Sequence, residues 1–165
     1  MKLDTFEMSS ETTDFLKQLE LENEGTLEWK TYAFLLQEHN SRIISKGGLL
    51  YIVGSKLIFE DFASERPINR LIGSSRNTYR KTKLYAALDS ITALQPVARR
   101  DAVRVLQGKR SIQQLKSPHK FQRLIDRTVY AVHFDDGSVW FCEMYDTGNL
   151  DSFLPRQEDP NTKAQ

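Results

Sequence analysis

The chain has 165 residues and a formal net charge of +1, with 39% hydrophobic and 27% charged residues. This balance is typical of an ordinary globular domain and excludes an intrinsically disordered chain. No apolar run approaches the ~18–20 residues of a membrane-spanning helix, and the single cysteine, Cys142, excludes an internal disulfide and a multi-cysteine metal site. We therefore expect one cytosolic domain with a reduced thiol.

The first predicted element is a short amphipathic helix over 11–23. Phe15, Leu16 and Leu19 share one helical face, and Gly25 follows as a stop signal. We assign this helix to an N-terminal segment, 1–25, that covers one side of a β domain spanning 26–155.

The next stretch predicts extended structure. The sequence TLEWKTYAFLLQEH from Thr26 is rich in aromatic and β-favouring residues, although its length also leaves a helix open. Two apolar runs, Leu49–Val53 and Lys56–Phe62, then flank Gly54-Ser55. A glycine in the first position of a two-residue loop predicts a hairpin with a type II′ turn.

Two segments interrupt the β pattern. Residues 63–83 combine proline, glycine, serine and asparagine with six basic residues, which indicates a long functional or disordered loop. After it, 84–97 predicts one bent strand or two short ones, broken at Asp89-Ser90. Residues 98–127 favour a helix that stops at Gly108 and could begin again, but the segment could equally be a mobile insertion.

The clearest signal lies near the end of the chain. Two β-rich runs, TVYAVHF and VWFCEMY, flank a turn that contains Asp136-Gly137, which predicts a hairpin. The sequence LDSFL could add one helical turn before Pro155, and 156–165 is expected to be a flexible tail. The sum predicts a mainly β (α+β) protein: about seven antiparallel strands in a small closed or half-closed barrel with helical caps.

Charge is strongly segregated along the chain. Residues 66–83 carry six basic residues and no acid, and 97–127 carry nine basic residues against two acids. The ends, 1–30 and 128–165, each have a net charge of −5. These charges either lie on solvated surface, where acidic ends neutralise the middle, or form an anion-binding face.

No motif points to catalysis. The sequence has none of the glycine-rich phosphate loops, metalloprotease motifs or hydrolase elbows, and its three histidines lack the spacing of metal ligands. His133 and Cys142 lie on predicted strands, where structural roles are usual. Asp135 and Asp136 lie in a turn, where such side chains bond nearby backbone amides. We therefore expect no enzyme activity, no cofactor and no metal.

One block carries a family resemblance. Residues 48–62, GLLYIVGSKLIFEDF, resemble the G-x-L-Y-x-T-x-x-x-L-x-F hairpin of GRAM domains and of the PH-like modules that flank BEACH domains, with Val53 in the place of the usual threonine. The pieces LYAALDSITAL and TVYAVHFDDGSVWFCEMY are similar to later parts of such domains, so the resemblance covers roughly 26–146.

The resemblance implies a seven-stranded, strongly bent β-barrel or sandwich closed at one end by a helix. Such domains use a C-terminal helix of several turns, whereas here only Asn149–Leu154 precedes Pro155, so the helix over 11–23 is a candidate for the closing role. The basic motif of phosphoinositide-binding PH domains is missing from the first hairpin, where only Arg42, Lys46 and Lys56 are found.

These features predict a non-catalytic module with two possible ligands. The first is an anionic membrane surface or phosphoinositide headgroup, which would make the protein cytoplasmic and peripheral to the membrane. Its predicted site consists of the basic residues Arg66, Arg70, Arg76, Arg80, Lys81, Lys83, Arg99, Arg100, Lys109 and Arg110. The second is a protein partner that docks on a groove or sheet edge, helped by the aromatic residues Trp140, Phe141 and Tyr145. Nucleic-acid binding through the basic run VRVLQGKRSIQQLKSP is a weaker alternative.

Overall fold

Seven antiparallel strands form one sheet in the computed structural model, which describes residues 10–61, 82–118 and 126–154. The spatial order is β4-β3-β2-β1-β7-β6-β5. This confirms the predicted mainly β class with helical caps. The strands are β1 (Leu27–His39), β2 (Arg42–Val53), β3 (Lys56–Asp61), β4 (Lys83–Ala87), β5 (Ile91–Ala98), β6 (Thr128–Phe134) and β7 (Val139–Met144).

Helical pieces connect and cover this sheet. Helix α1 spans Ser10–Asn23 and helix α2 spans Arg99–Leu106. Three short 3-10 helices, η1 (Leu88–Ser90), η2 (Ile112–Gln114) and η3 (Leu150–Ser152), lie between or after strands. Within the described part of the chain, neither helix has the length and apolar character needed to cross a membrane.

The longest hairpin joins β1 to β2, and the sequence analysis did not predict it. The segment from Thr26 is a strand and not a helix, and its partner strand begins at Arg42, seven residues before the predicted start. The two-residue turn has positive φ at both Asn40 and Ser41, 50° and 60°. These angles are the signature of the type I′ turns that fit the twist of a hairpin, although serine has no strong preference for them.

The predicted turns and breaks are confirmed elsewhere. Gly54 has a φ of 56° between β2 and β3, and Gly137 has a φ of 82° between β6 and β7. The 84–97 segment forms two strands, β4 and β5, and Asp89 lies in the break between them, η1. The α2 helix ends just before Gly108, whose φ is 67°.

The inner face of the sheet carries the main core. Alternate residues such as Leu50, Phe59, Val132 and Cys142 are almost fully buried in one cluster. The two edge strands, β4 and β5, are joined by only the three residues of η1, so the sheet curls over itself into a half-barrel around this cluster. Leu150 of η3 belongs to the same cluster and extends it beyond the strands.

The outer face is covered in two separate places. Leu16 and Leu19 of α1 pack against Leu49, Tyr51 and neighbouring outward side chains of β2 and β3. At the other side of the sheet, α2 and η2 cover a second cluster that includes Leu36 and Phe141. Helix α1 therefore lies on the outer face, and the piece that joins the inner core is η3, so α1 does not take over the closing role expected for it.

Candidate functional site on the outer face

The structure describes half of the ten basic residues predicted to bind an anion. The other half lie outside the described residues, within the loop predicted over 63–83: Arg66, Arg70, Arg76, Arg80 and Lys81. The described half falls into two groups. Lys83 stands alone on β4, whereas Arg99, Arg100, Lys109 and Arg110 lie on α2 or directly after it.

Lys83 is held in a network of buried and half-buried groups. Its Nζ lies 3.3 Å from Glu60 Oε2 and 3.9 Å from Glu22 Oε2 of α1. The hydroxyl of Tyr51, a fully buried residue, donates to the same Glu60 oxygen at 3.0 Å. Burial alone would lower the pKa of Lys83, but the charge of Glu60 outweighs it and raises this pKa. Lys83 therefore joins α1 to the sheet.

The four residues near α2 lie together and are mostly paired with acids. Arg99 Nε lies 3.9 Å from Glu143 Oε2, and Arg100 Nε lies 3.8 Å from Asp126 Oδ2. Arg110 forms an ion pair with Asp101. Lys109 is exposed.

Two further cations, missed by the sequence prediction, join this group. Arg104 follows Arg100 by one helical turn, and Arg127 lies 3.2 Å from Glu143. We call the six cations the α2 patch: Arg99, Arg100, Arg104, Lys109, Arg110 and Arg127. Against their six positive charges stand three acids, Asp101, Asp126 and Glu143, so a local excess of positive charge remains.

Lys83 is not part of the α2 patch. Its strand, β4, is four positions away from β7, which carries Glu143 at the border of the patch. Lys83 contacts Glu60 and Glu22, whereas the acids of the α2 patch are Asp101, Asp126 and Glu143. The five predicted cations that the structure describes therefore form two groups with different partners.

Between these two sites lies a strip of exposed aromatic side chains. Tyr32 and Phe34 on β1 are 63% and 52% exposed, and Tyr145, just after β7, is 89% exposed. The backbone N–H of Tyr145 donates to the carbonyl oxygen of Tyr32 at 2.9 Å, which places the two residues side by side. We call Tyr32, Phe34 and Tyr145 the aromatic strip.

The covering helices define the borders of the aromatic strip. Tyr32 pairs with Leu49 of β2, which lies beneath α1. On the opposite side, Leu36 points to the same face of β1 as Phe34 but is buried in the cluster beneath α2. Phe34 itself lies between Gly47 of β2 and Glu143 of β7. The aromatic strip is thus the part of the outer face that neither helix covers.

The two borders differ in charge. Helix α1 and the residue after it carry one lysine, Lys17, against five acids: Glu11, Asp14, Glu20, Glu22 and Glu24. The other border is the α2 patch, where Arg127 has a side-chain exposure of 76%. The aromatic strip therefore lies between an acidic helix on one side and a cationic surface on the other.

The aromatic residues of the final hairpin differ in their accessibility. Phe141, expected to contact a partner, is fully buried beneath α2 and cannot do so. Trp140 is half-buried and packs edge-to-face on Phe134 with ring centroids 5.0 Å apart. Only Tyr145 of the three is largely exposed. The signal that could have found its neighbours Tyr32 and Phe34 is the alternation of β1, which carries large side chains on both faces.

The titratable residues singled out in the sequence, Cys142, His133 and Asp136, lie in surroundings that are typical of structural residues. Burial raises the pKa of the Cys142 thiol to about 12, so it is protonated at neutral pH. Burial lowers the pKa of His133, whose ring lies 3.3 Å from the Gln95 side chain. Asp136 accepts a hydrogen bond from the backbone N–H of Ser138 at 2.8 Å, as expected for a turn residue. No group of three or more potential metal ligands occurs within 10–61, 82–118 and 126–154.

Comparisons with known proteins assign no family to the chain. No protein-family model matches it, and no curated protein matches it. Among solved structures, it is similar to the C-terminal domain of an unknown protein from Leishmania infantum, with a TM-score of 0.45 and 14% sequence identity over 87% of this chain and 93% of that one.

Proposed function

We propose that the protein is a non-catalytic, PH-like interaction module that docks a protein partner on the aromatic strip. The observation that carries this proposal is the exposure of three large rings on adjacent strands, at the place where both covering helices leave the sheet bare. Contiguous exposed apolar surface with a polar border is typical of interaction sites.

The PH-like part of the proposal is supported by the architecture. The strand number, the curled sheet and the Gly54 turn agree with what the sequence resemblance implies. The described C-terminal part differs, because Leu150–Ser152 supplies only one helical turn in place of a long closing helix.

The composition of the aromatic strip suits protein recognition. Tyrosine is enriched among the residues that dominate binding energy, and an aromatic ring buries a large area at a small entropic cost. Full burial of a phenylalanine-sized side chain contributes about 1.5–3 kcal/mol, which corresponds to a roughly 10- to 100-fold change in affinity. Removal of one ring at the centre of the site should thus be measurable.

Affinity capture with matched variants tests the proposal. We expect the wild-type chain to retain one stoichiometric partner in moderate salt, and Tyr32→Thr/Phe34→Thr/Tyr145→Ser to lose it. Threonine preserves the β propensity of the strand positions. The control is Leu21→Ser, because Leu21 is 80% exposed on α1 and lies outside the aromatic strip. Equal retention by the triple variant and the control would refute docking on the strip.

A second candidate function is binding of anionic lipid or phosphoinositide headgroups by the α2 patch. It is favoured by the excess of positive charge there and by the side-chain exposures of Arg100, Arg104 and Arg127, which are 58%, 59% and 76%. Each cation near an anionic bilayer contributes about 1 kcal/mol, and arginine can bind phosphate through two parallel hydrogen bonds. The acidic α1 at the other border of the strip opposes this function, so we place it second.

Vesicle co-sedimentation separates the two candidates. Lipid binding predicts retention on phosphatidylcholine vesicles that contain phosphatidylserine or a phosphoinositide, and its loss in Arg100→Gln/Arg104→Gln/Arg127→Gln. Phosphatidylcholine alone is the control. If the wild-type chain stays in the supernatant with every vesicle at low salt, the lipid candidate is excluded.

A further inference from the structure

Strand β4 is an edge strand of the sheet formed by the described residues. Among the described residues it pairs only with β3. The Asp61 N–H donates to the Thr82 carbonyl at 3.0 Å, and the Leu88 N–H donates to the Ser55 carbonyl at 2.8 Å. In an antiparallel pair every second residue faces its partner strand. It follows that Leu84 and Ala86 bond to β3, whereas the N–H and C=O groups of Tyr85 and the N–H of Ala87 point away from it. The C=O of Ala87 accepts a hydrogen bond from Ser90 Oγ at 2.7 Å.

A groove runs beside this free edge. It has a volume of about 290 Å³ and lies between β4 and the turn region of the β6–β7 hairpin. Tyr85 and Ala87 form one side, and Phe134, Asp135, Asp136 and Trp140 form much of the other. The edge-to-face packing of Phe134 and Trp140 gives this second wall a fixed shape.

The charged residues that line the groove are acidic. Asp135 and Asp136 are exposed on its wall, and none of its lining residues is lysine or arginine. Hydrogen bonds from Ser138 lower the pKa of Asp136, so its carboxylate is charged at neutral pH. The indole of Trp140 adds a surface that favours the aliphatic stem and the cationic head of a lysine or arginine.

We propose that an extended, basic segment of a partner protein adds to β4 as a further strand, with one lysine or arginine in the groove next to Asp135 and Asp136. Backbone hydrogen bonds to the N–H and C=O of Tyr85 and to the N–H of Ala87 would supply affinity, and the acidic groove would supply specificity, as in other cases of strand addition. This site lies at the edge of the sheet and is separate from the aromatic strip, so it goes beyond the function proposed above.

The test uses a synthetic ten-residue peptide of alternating lysine and valine, and a glutamate–valine peptide of the same length. We expect the lysine peptide to bind and to slow amide hydrogen exchange at Tyr85 and Ala87. The amides of Leu84 and Ala86, already bonded to β3, serve as internal controls and should change much less. No binding, equal binding of the two peptides, or binding without protection at Tyr85 and Ala87 would overturn the proposal.

Variants test the acidic groove and keep this site distinct from the aromatic strip. Asp135→Asn/Asp136→Asn should weaken the lysine peptide about tenfold, since asparagine keeps the turn but removes the charges. Asp151→Asn, at an exposed acid outside the groove lining, should have no effect. Phe34→Thr should also leave peptide binding unchanged, and a loss equal to that of the double variant would contradict a site on β4.

Discussion

Gly48 is the residue at which the sheet tolerates a side chain least. A Cβ there would lie 2.4 Å from the Glu60 carbonyl oxygen and 2.8 Å from the Asp61 Cα, and both are backbone atoms of the paired strand β3. At the neighbouring Gly47 the nearest atom is Phe34 Cε1 at 3.1 Å, in a half-exposed side chain that can move. The close approach of β2 and β3 therefore requires glycine at position 48 but not at position 47.

This contrast predicts different effects of the same substitution. Gly48→Ala should lower the free energy of unfolding by about 2 kcal/mol or more, a large effect that reflects backbone displacement. Gly47→Ala should cost less than about 1 kcal/mol, because only the Phe34 ring must shift. Urea unfolding of both variants measures the difference, and equal destabilisation would show that β2 and β3 are not so closely apposed.

The Tyr51–Glu60–Lys83 network predicts a loss of stability at alkaline pH. Burial first, and then the Glu60 carboxylate, raise the pKa of Tyr51 above its ordinary value of 10.0, and the pKa of Lys83 lies above 10.5 in the folded state. Above about pH 10 the unfolded chain releases these protons while the folded chain keeps them, so unfolding becomes more favourable as pH rises. Stability from this source is complete below pH 10.

Thermal unfolding at a series of pH values from neutral to alkaline checks this linkage. We expect the midpoint of the wild-type chain to fall as pH rises above about 10. Tyr51→Phe removes one of the two groups and should show a shallower decline from its own midpoint at neutral pH. A Tyr51→Phe curve that runs parallel to that of the wild type would contradict the role given to Tyr51.

At the scale of elements, α1 is attached through a narrow apolar contact. Leu19 is 2% exposed against β2 and β3, whereas Leu21 on the same helix is 80% exposed. Leu19→Ala should lower the free energy of unfolding by about 2–5 kcal/mol, as for other buried leucines. Leu21→Ala is the matched control and should change it by less than about 0.5 kcal/mol. Denaturant titration measures the free energy of unfolding of both variants. A small effect of Leu19→Ala would mean that α1 is not docked on β2 and β3 as described.

The β1–β2 turn offers a stabilising substitution. Ser41 holds a φ of 60°, a left-handed conformation that costs about 1–2 kcal/mol for a residue with a Cβ. Ser41→Gly creates the Asn-Gly sequence favoured in type I′ turns and should raise the free energy of unfolding by about 0.5–1 kcal/mol. Ser55→Gly, in a turn where only Gly54 has positive φ, should not stabilise the protein. If the Ser41→Gly variant is not more stable than the Ser55→Gly variant, the β1–β2 turn is not of type I′.

These elements also show what the sequence could reveal. The hairpins at Gly54 and Gly137 were predictable because a glycine turn between apolar runs is a local signal. The β1–β2 hairpin was missed because its turn, Asn40-Ser41, contains no glycine and Arg42–Lys46 lacks clear alternation. The aromatic strip was missed for a different reason. Phe34 and Leu36 occupy the same face of β1, and only the tertiary position of α2 makes one exposed and the other buried.

At the scale of the whole molecule, the curled sheet has one inner core and two separate covers. The main core fills the inside of the half-barrel. Helices α1 and α2 each cover one side of the outer face. Within the part of the chain that the structure describes, the middle of the outer face lies beneath neither helix and is the aromatic strip, bordered by acidic α1 and the basic α2 patch. This arrangement could not be read from charge blocks along the chain, because it depends on which strands the sheet places between them.

Site-directed photo-crosslinking at Phe34 tests docking on the aromatic strip most directly. The photoreactive residue benzoylphenylalanine replaces Phe34 in one variant and Leu21 in a second, and both are irradiated in the presence of cell extract. The account predicts an adduct of one discrete mass from position 34, none from position 21, and loss of the adduct when Tyr32→Thr and Tyr145→Ser are added. An adduct of equal yield from both positions, or none from position 34, would contradict it.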